Sequence, residues 1–208
     1  MAPLPEFAVP FAGSEGQAIL REAMAADLRA LTRSFQAQEK RSWCGVASAV
    51  TVLAALRGEA MAQDQLFTAG ASAVRSWWTA TFWGMSLGEL AGLLQAHGVV
   101  VELHRADEGI EAFRQAVASN AAHGDDYLLV NWQRSVLGEE GEAGHISPIG
   151  AYDAAGDRVL VLDVAAYRYP WAWFPLPRMF AAMDTRDGDA LRGWLVVRGA
   201  GGGAAGGG

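Results

Sequence analysis

Between Val46 and Leu56 the sequence VASAVTVLAAL carries almost no polar side chain. Val46, Ala47, Val50, Leu53, Ala54 and Leu56 recur at helical spacing, and most positions between them are small or apolar too. A helix without a polar face is stable only when other elements cover it on all sides. The chain has the material to do so: 208 residues, 51% of them hydrophobic, suit one domain with a sizeable core. Gly58 is the expected stop. At the other end of this helix stands Cys44, the sole cysteine of the chain.

Helical signals surround that segment. Ser14 and Gln17 form a capping-box pattern, and Ile19, Leu20, Met24, Leu28 and Leu31 follow, predicting one helix over about 15–32. Ser86 and Glu89 form a second such pattern before Leu87, Leu90, Leu93 and Leu94, with Gly98 closing the helix. DEGIEAFRQAVASN at 107–120 is a further amphipathic helix, whereas the Trp-rich stretch 61–85 fits no single pattern. Strands take over later: VVVEL at 99–103, YLLVNW at 127–132, HISPIGAY at 145–152, RVLVLDVA at 158–165 and GWLVV at 193–197. SVLGEEGEAG at 135–144 reads as a solvated loop rather than a mobile flap. Helices first and antiparallel strands second predict an α+β architecture, not alternating βαβ units. Residues 1–198 read as a single domain, and the Gly-rich tail 199–208 as disordered.

Several functions are disfavoured. A net charge of −7 without basic runs argues against nucleic acid as a partner. One cysteine leaves no disulfide framework and no thiolate-rich zinc site. The N-terminal segment does not read as a signal peptide, and no apolar run reaches the length of a membrane span, so the chain reads as cytoplasmic and not membrane-bound.

The chemistry gathers around Cys44. A thiol attacks as thiolate, and a helix N-terminus and a nearby imidazolium both favour that form. Gly45 beside it presents no side chain against an approaching substrate. Gln38, six residues earlier, is placed to join the Cys44 N–H in holding an oxyanion. Of the four histidines, His97, His104 and His123 read as surface residues, while His145 opens an apolar strand after a Gly-rich loop. Pairing 145–152 with 158–165 sets residue 152 opposite 158 and 147 opposite 163. His145 and Asp163 then share a face as diagonal neighbours, about 7–8 Å apart at the backbone. Asp163 within VLVLDVA needs a partner, and an imidazole N–H suits it. Singly, each residue has an ordinary explanation: an inert core thiol, a solvated glutamine, a structural His–Asp bond. Together, the order Gln38, Cys44, His145, Asp163 points to an acyl-transferring thiol enzyme.

The blocks SWCGVAS and GHISPIGAYD…VLVLDVAAYRYPWAW, with the opening FAGSEGQAILREAM, resemble the phytochelatin synthases, papain-like enzymes acting on glutathione. The resemblance spans about residues 10–185. It implies a papain-like fold in which Cys44 is the nucleophile, His145 the base and then acid, Asp163 its orienter and Gln38 the oxyanion-hole side chain. Trp43, Gly45, Gly144, Arg168 and Tyr169 would contact the substrate. The implied reaction removes glycine from glutathione through a γ-Glu-Cys acyl-enzyme and passes the acyl group to a second glutathione or to water. No cofactor or resident metal site is implied; heavy-metal ions such as cadmium or zinc would enter as glutathione thiolate complexes, in metal detoxification. A homodimer is compatible with it. Trp43, Ile146 and Ala151 stand where the family pattern has Tyr, Phe and Gly, and Ala166 stands where it has Arg. The loss of that guanidinium tilts the expectation towards hydrolysis, with Arg168 the nearest substitute. A cysteine-rich C-terminal region is not part of this sequence, so the chain reads as the short, prokaryotic form. The alternatives are a papain-like peptidase or amidase with another substrate, and a non-catalytic thiol-binding module.

Overall fold

The computed structural model describes residues 2–201; the predicted disordered tail beyond residue 201 lies outside the described residues. Its α-helices are α1 (Ser14–Glu22), α2 (Leu28–Ser34), α3 (Cys44–Arg57), α4 (Ala69–Val74), α5 (Trp77–Trp83), α6 (Leu87–Ala96), α7 (Ile110–Ala122) and α8 (Leu176–Met183). The strands are β1 (Val9–Pro10), β2 (Val100–Arg105), β3 (Asp126–Gln133), β4 (Gly144–Asp153), β5 (Arg158–Val161), β6 (Ala172–Pro175), β7 (Arg186–Asp187), β8 (Ala190–Leu191) and β9 (Gly193–Arg198). Seven of them form one antiparallel sheet in the order β1-β6-β5-β4-β3-β9-β2, and β7 pairs with β8. The fold is α+β, as the segregation of patterns predicts.

The central strands are apolar on both faces because both faces are covered. Successive strand residues point to opposite sides. Leu129, Leu160, Leu195 and Val197 pack with Val46, Val50 and Leu53 of α3 and Leu90 and Leu94 of α6. Leu128, Val130, Val159, Val161 and Val196 join Phe113 and Val117 of α7 and Met179 and Met183 of α8. Each of these large side chains removed from water contributes roughly 1.5–3 kcal/mol. Helix α3 is buried from Gly45 to Ala54, as its lack of a polar face requires. It ends where expected: Gly58 takes the left-handed φ of 69° and donates its N–H to the Ala54 carbonyl.

Two local expectations fail. The helix expected over 15–32 is broken, because Met24 leaves it to exchange both backbone hydrogen bonds with Tyr152 of β4, each at 2.9 Å. Its apolar spacing persists across the break, so periodicity alone did not reveal it. Ser14 is inside α1 rather than capping it, and Gln17 Nε2 donates instead to the Phe11 carbonyl at 2.8 Å. The Ser86–Glu89 capping box forms in both directions, with Ser86 N–H donating to Glu89 Oε2 at 2.8 Å and Glu89 N–H to Ser86 Oγ at 3.3 Å. The helix expected at 107–120 starts at Ile110, after Gly109 at φ 91°. Strand β6 and helix α8, in AWFPLPRMFAAM, lie outside the expected elements, although Leu176, Met179, Phe180 and Met183 recur at helical spacing just after a proline-bearing start.

The β4–β5 hairpin carries the site. At the turn its register is one residue from that expected: Asp153, not Tyr152, faces Arg158. A bulge at Gly150 absorbs the difference, so Ile149 faces Val161 and the Leu162 N–H donates to the Pro148 carbonyl at 2.9 Å. Residue 147 is thereby returned to the level of residue 163. β5 itself stops at Val161, so Asp163 is on the segment just beyond it.

Replacing Ser86 with Ala removes both hydroxyl contacts of the α6 cap; a loss of about 1 kcal/mol is expected, read as a lower urea midpoint at unchanged m-value.

Candidate active site

Helix α3 delivers Cys44 in its first turn, where backbone N–H groups have no intrahelical acceptor. One turn on, the buried Ser48 hydroxyl donates to the Ile146 carbonyl at 2.9 Å and fixes α3 against β4 beside His145. Before the helix, the Gln38 N–H donates to the Val164 carbonyl at 2.8 Å, tying the approach to Cys44 to the segment holding Asp163. One side-chain and one backbone hydrogen bond thus hold the three elements together.

At their junction the half-buried Cys44 thiol neighbours the His145 ring, near enough for each to shift the other's ionisation. His145 Nε2 lies 2.7 Å from Asp163 Oδ1 and 3.1 Å from Ser147 Oγ. The Ser147 hydroxyl accepts the Val164 N–H at 3.1 Å, and Asp163 Oδ1 accepts the Ala165 N–H at 2.7 Å. Trp132, opposite His145 in the β3–β4 register, meets its ring edge-on at 4.9 Å. Arg134, the first residue past the end of β3, holds Asp163 through one nitrogen, its Nη2 lying 3.2 and 3.0 Å from the two carboxylate oxygens.

The electrostatics follow from these contacts. Burial alone would push the Cys44 thiol up, but the bond to His145, its positive charge, the Ile146 N–H and the charge of Arg134 together hold it below its ordinary value. For His145 burial works against the charged form, yet the Asp163 carboxylate outweighs both burial and the repulsion of Arg134, and the ring is pushed up to about 9. Burial opposes ionisation of Asp163 as well; the charge and hydrogen bond of His145 and the charge of Arg134 hold it well below the usual carboxylate range. At neutral pH the arrangement favours thiolate beside imidazolium.

These groups open onto a cleft of about 390 Å³. The structure brings Gln38, Cys44 and His145 to its wall, with Gly144 and Arg168. Three expected substrate contacts do not reach it. Trp43 is 1% exposed, donates its ring N–H to Thr81 Oγ1 at 3.0 Å and carries the Lys40 ammonium over its face. Tyr169 is fully buried and accepts the Glu140 N–H at 2.7 Å; the exposed Tyr167, two residues earlier, lines the cleft instead. At Gly45 a Cβ would lie 2.8 Å from Met85 Sδ, so the missing side chain accommodates Met85 rather than leaving an open approach.

The Gln38 amide has turned elsewhere. Its two protons go to the carbonyls of Lys40 and Arg41, each at 2.9 Å, and its buried Oε1 has no partner among the described residues. The loop 135–144, expected to be solvated, is pinned by Glu139, which is buried against Arg134 and Trp132. Phe82 and Trp83 of α5 form an aromatic rim, 64% and 78% exposed. Sequence reasoning passed over Arg134, Ser147 and Ser48. Two signals could have found the serines: Ser147 follows His145 at strand spacing, and Ser48 follows Cys44 by one helical turn on an otherwise apolar helix. Among the described residues, no group of three or more His, Cys, Asp or Glu side chains is disposed to hold a metal ion. No helix among them is long and apolar enough to cross a membrane.

A helix-borne thiol facing an imidazole, with a carboxylate behind it on an antiparallel sheet, is the constellation of the papain-like cysteine enzymes. A phytochelatin synthase family model matches residues 1–194, and the chain belongs to that family. It is similar to glutathione gamma-glutamylcysteinyltransferase 3 of Lotus japonicus, 32% identical over 91% of this chain and 42% of the relative. A second such relative, number 2 of Arabidopsis thaliana, is 29% identical over 91% of this chain and 44% of its own length. The enzyme of that name from Schizosaccharomyces pombe aligns at 30% identity over 55% of this chain and 28% of its own. The chain thus spans about two fifths of the length of the plant relatives.

Iodoacetamide is expected to alkylate Cys44 at pH 6.5 at least about ten-fold faster than an unperturbed thiol of pKa near 8.5. His145→Gln should erase that advantage. Mass-resolved labelling rates would detect either outcome.

Proposed function

We propose that residues 1–198 act as one catalytic domain that removes glycine from glutathione and passes the γ-Glu-Cys acyl group mainly to water, and in part to a second glutathione. The observation that carries this reading is Cys44 beside the hydrogen-bonded His145–Asp163 pair on the wall of one cleft. The Cys44 thiolate attacks the carbonyl carbon of the Cys–Gly peptide bond. The Cys44 N–H, at the positive end of α3, faces the developing oxyanion. Gln38 joins it by turning its amide away from the Lys40 and Arg41 carbonyls. Imidazolium His145 gives its proton to the departing glycine nitrogen, the C–N bond breaks, and a thioester remains on Cys44. Neutral His145 then takes a proton from water, or from the amine of an acceptor, as that nucleophile attacks the thioester. Asp163 keeps the ring oriented through both halves.

The lining of the cleft supports a zwitterionic peptide substrate. Arg41 and Arg168 offer cations for carboxylates, and Asp187, which accepts from Asn131 Nδ2 at 3.2 Å, offers an anion for an ammonium. The half-buried Ala166 supplies no cation for an acceptor. Arg168 lines the cleft near it and reaches Glu140 at 3.4 Å. That favours water as acceptor. Cadmium or zinc would enter as thiolate complexes of the substrate.

The purified protein mixed with glutathione should release glycine and carry a γ-Glu-Cys adduct on Cys44, visible by mass spectrometry. Cys44→Ser should abolish glycine release. Retained turnover in that variant would refute the assignment, and a product mixture dominated by polymers would refute the preference for water.

A further inference from the structure

Behind the thiol–imidazole pair lies a second buried carboxylate that the acyl-transfer steps above do not use. The Glu139 side chain is 1% exposed and accepts from Arg134 Nη1 at 2.7 Å and Trp132 Nε1 at 3.0 Å. Arg134, 5% exposed, places its other terminal nitrogen on both oxygens of Asp163. The result is a row of alternating charge: Glu139, Arg134, Asp163, His145 and Cys44.

Arg134 does two opposed things. Its Nη2 holds both oxygens of the Asp163 carboxylate, while its charge competes with His145 for that carboxylate and repels the imidazolium. A neutral donor could not grip the carboxylate as well, and a lone guanidinium would work against the charged ring. A carboxylate on the far side of Arg134 resolves the conflict by offsetting its charge and leaving its geometry in place. We propose that Glu139, acting through Arg134, is a positioning residue that lets Asp163 be held rigidly while His145 keeps its positive charge. It rests on the reading of Cys44 and His145 as a reactive pair, but not on glutathione as the substrate.

The charged and titratable groups facing this row come from every element packed there. Cys44 faces it from α3, His145 from β4 and Asp163 from the segment after β5. The Tyr169 ring lies 5.0 Å from the Arg134 guanidinium, and Glu140 pairs with Arg168 outside it. Among the described residues Glu139 is thus the one carboxylate in direct contact with Arg134 on the side away from Asp163.

The test is the pH profile of Cys44 alkylation by iodoacetamide in the intact protein. One cysteine in the chain makes the label report one site. Wild type should show a thiolate plateau bounded above by loss of the imidazolium proton. Glu139→Gln keeps acceptors for Arg134 and Trp132 but removes the charge. It should move the upper limit down by at least about half a pH unit, and Glu139→Asp should restore it. An unmoved limit with a lowered melting temperature would make Glu139 only a loop anchor and overturn the inference. A single ordinary thiol titration in wild type would remove the reactive pair itself, and the inference with it. Should Glu139→Gln not fold, Arg134→Lys decides. It keeps the charge and loses the two-armed bridge between Glu139 and Asp163, so the upper limit of the alkylation profile should again fall by at least about half a pH unit. An unchanged limit would overturn the inference.

Discussion

A helix apolar on every side has one place where it can meet polar chemistry, and that is its end. In α3 burial from Gly45 to Ala54 forces the helix against the sheet, so its N-terminus is presented to the ends of the strands beside it. Cys44 occupies that end. The Ser48 bond to the Ile146 carbonyl and the Gln38 bond to the Val164 carbonyl then convert general packing into a fixed alignment of thiol, ring and carboxylate. The positions of these groups are thus set by the packing of one helix as much as by their own interactions.

Much of this was legible in the sequence, for identifiable reasons. Helix α3, the Ser86 cap, the Gly58 stop and the β4–β5 hairpin depend on local spacing and local chemistry, which a sequence states directly. The pairing of His145 with Asp163 was legible because a carboxylate inside an apolar run demands a partner. What stayed hidden depends on contacts far apart in the chain. Met24 breaks a regular helical pattern for hydrogen bonds to Tyr152, more than a hundred residues away. Trp43 and Tyr169 were expected as substrate contacts from the resemblance alone, yet a residue beside a functional one in sequence can point into the core. Glu139 lies in a Gly- and Glu-rich stretch indistinguishable from a solvated loop until Arg134 and Trp132 are seen beneath it.

Family membership and site geometry constrain different things. The match over residues 1–194 fixes ancestry, while the geometry defines which groups can exchange protons. The departures of this chain adjoin the reactive groups without replacing them: Trp43 stands next to Cys44 and Ile146 next to His145. Cys44, His145 and Asp163 lie within the blocks that carry the family pattern, and within the same blocks Ala166 removes a charge that the pattern has. Variation of that kind alters what is bound and how the pair is tuned without dismantling the pair.

The irregularity at Gly150 has its own consequence. It lies between the exposed turn after Asp153 and the end of β4 that carries His145, and it isolates one from the other. A residue gained or lost at the tip would ordinarily slip the whole ladder and rotate the imidazole to the opposite side of the sheet. Here the kink takes up one residue of slack between tip and base, so the imidazole stays on the side of the sheet that meets Asp163.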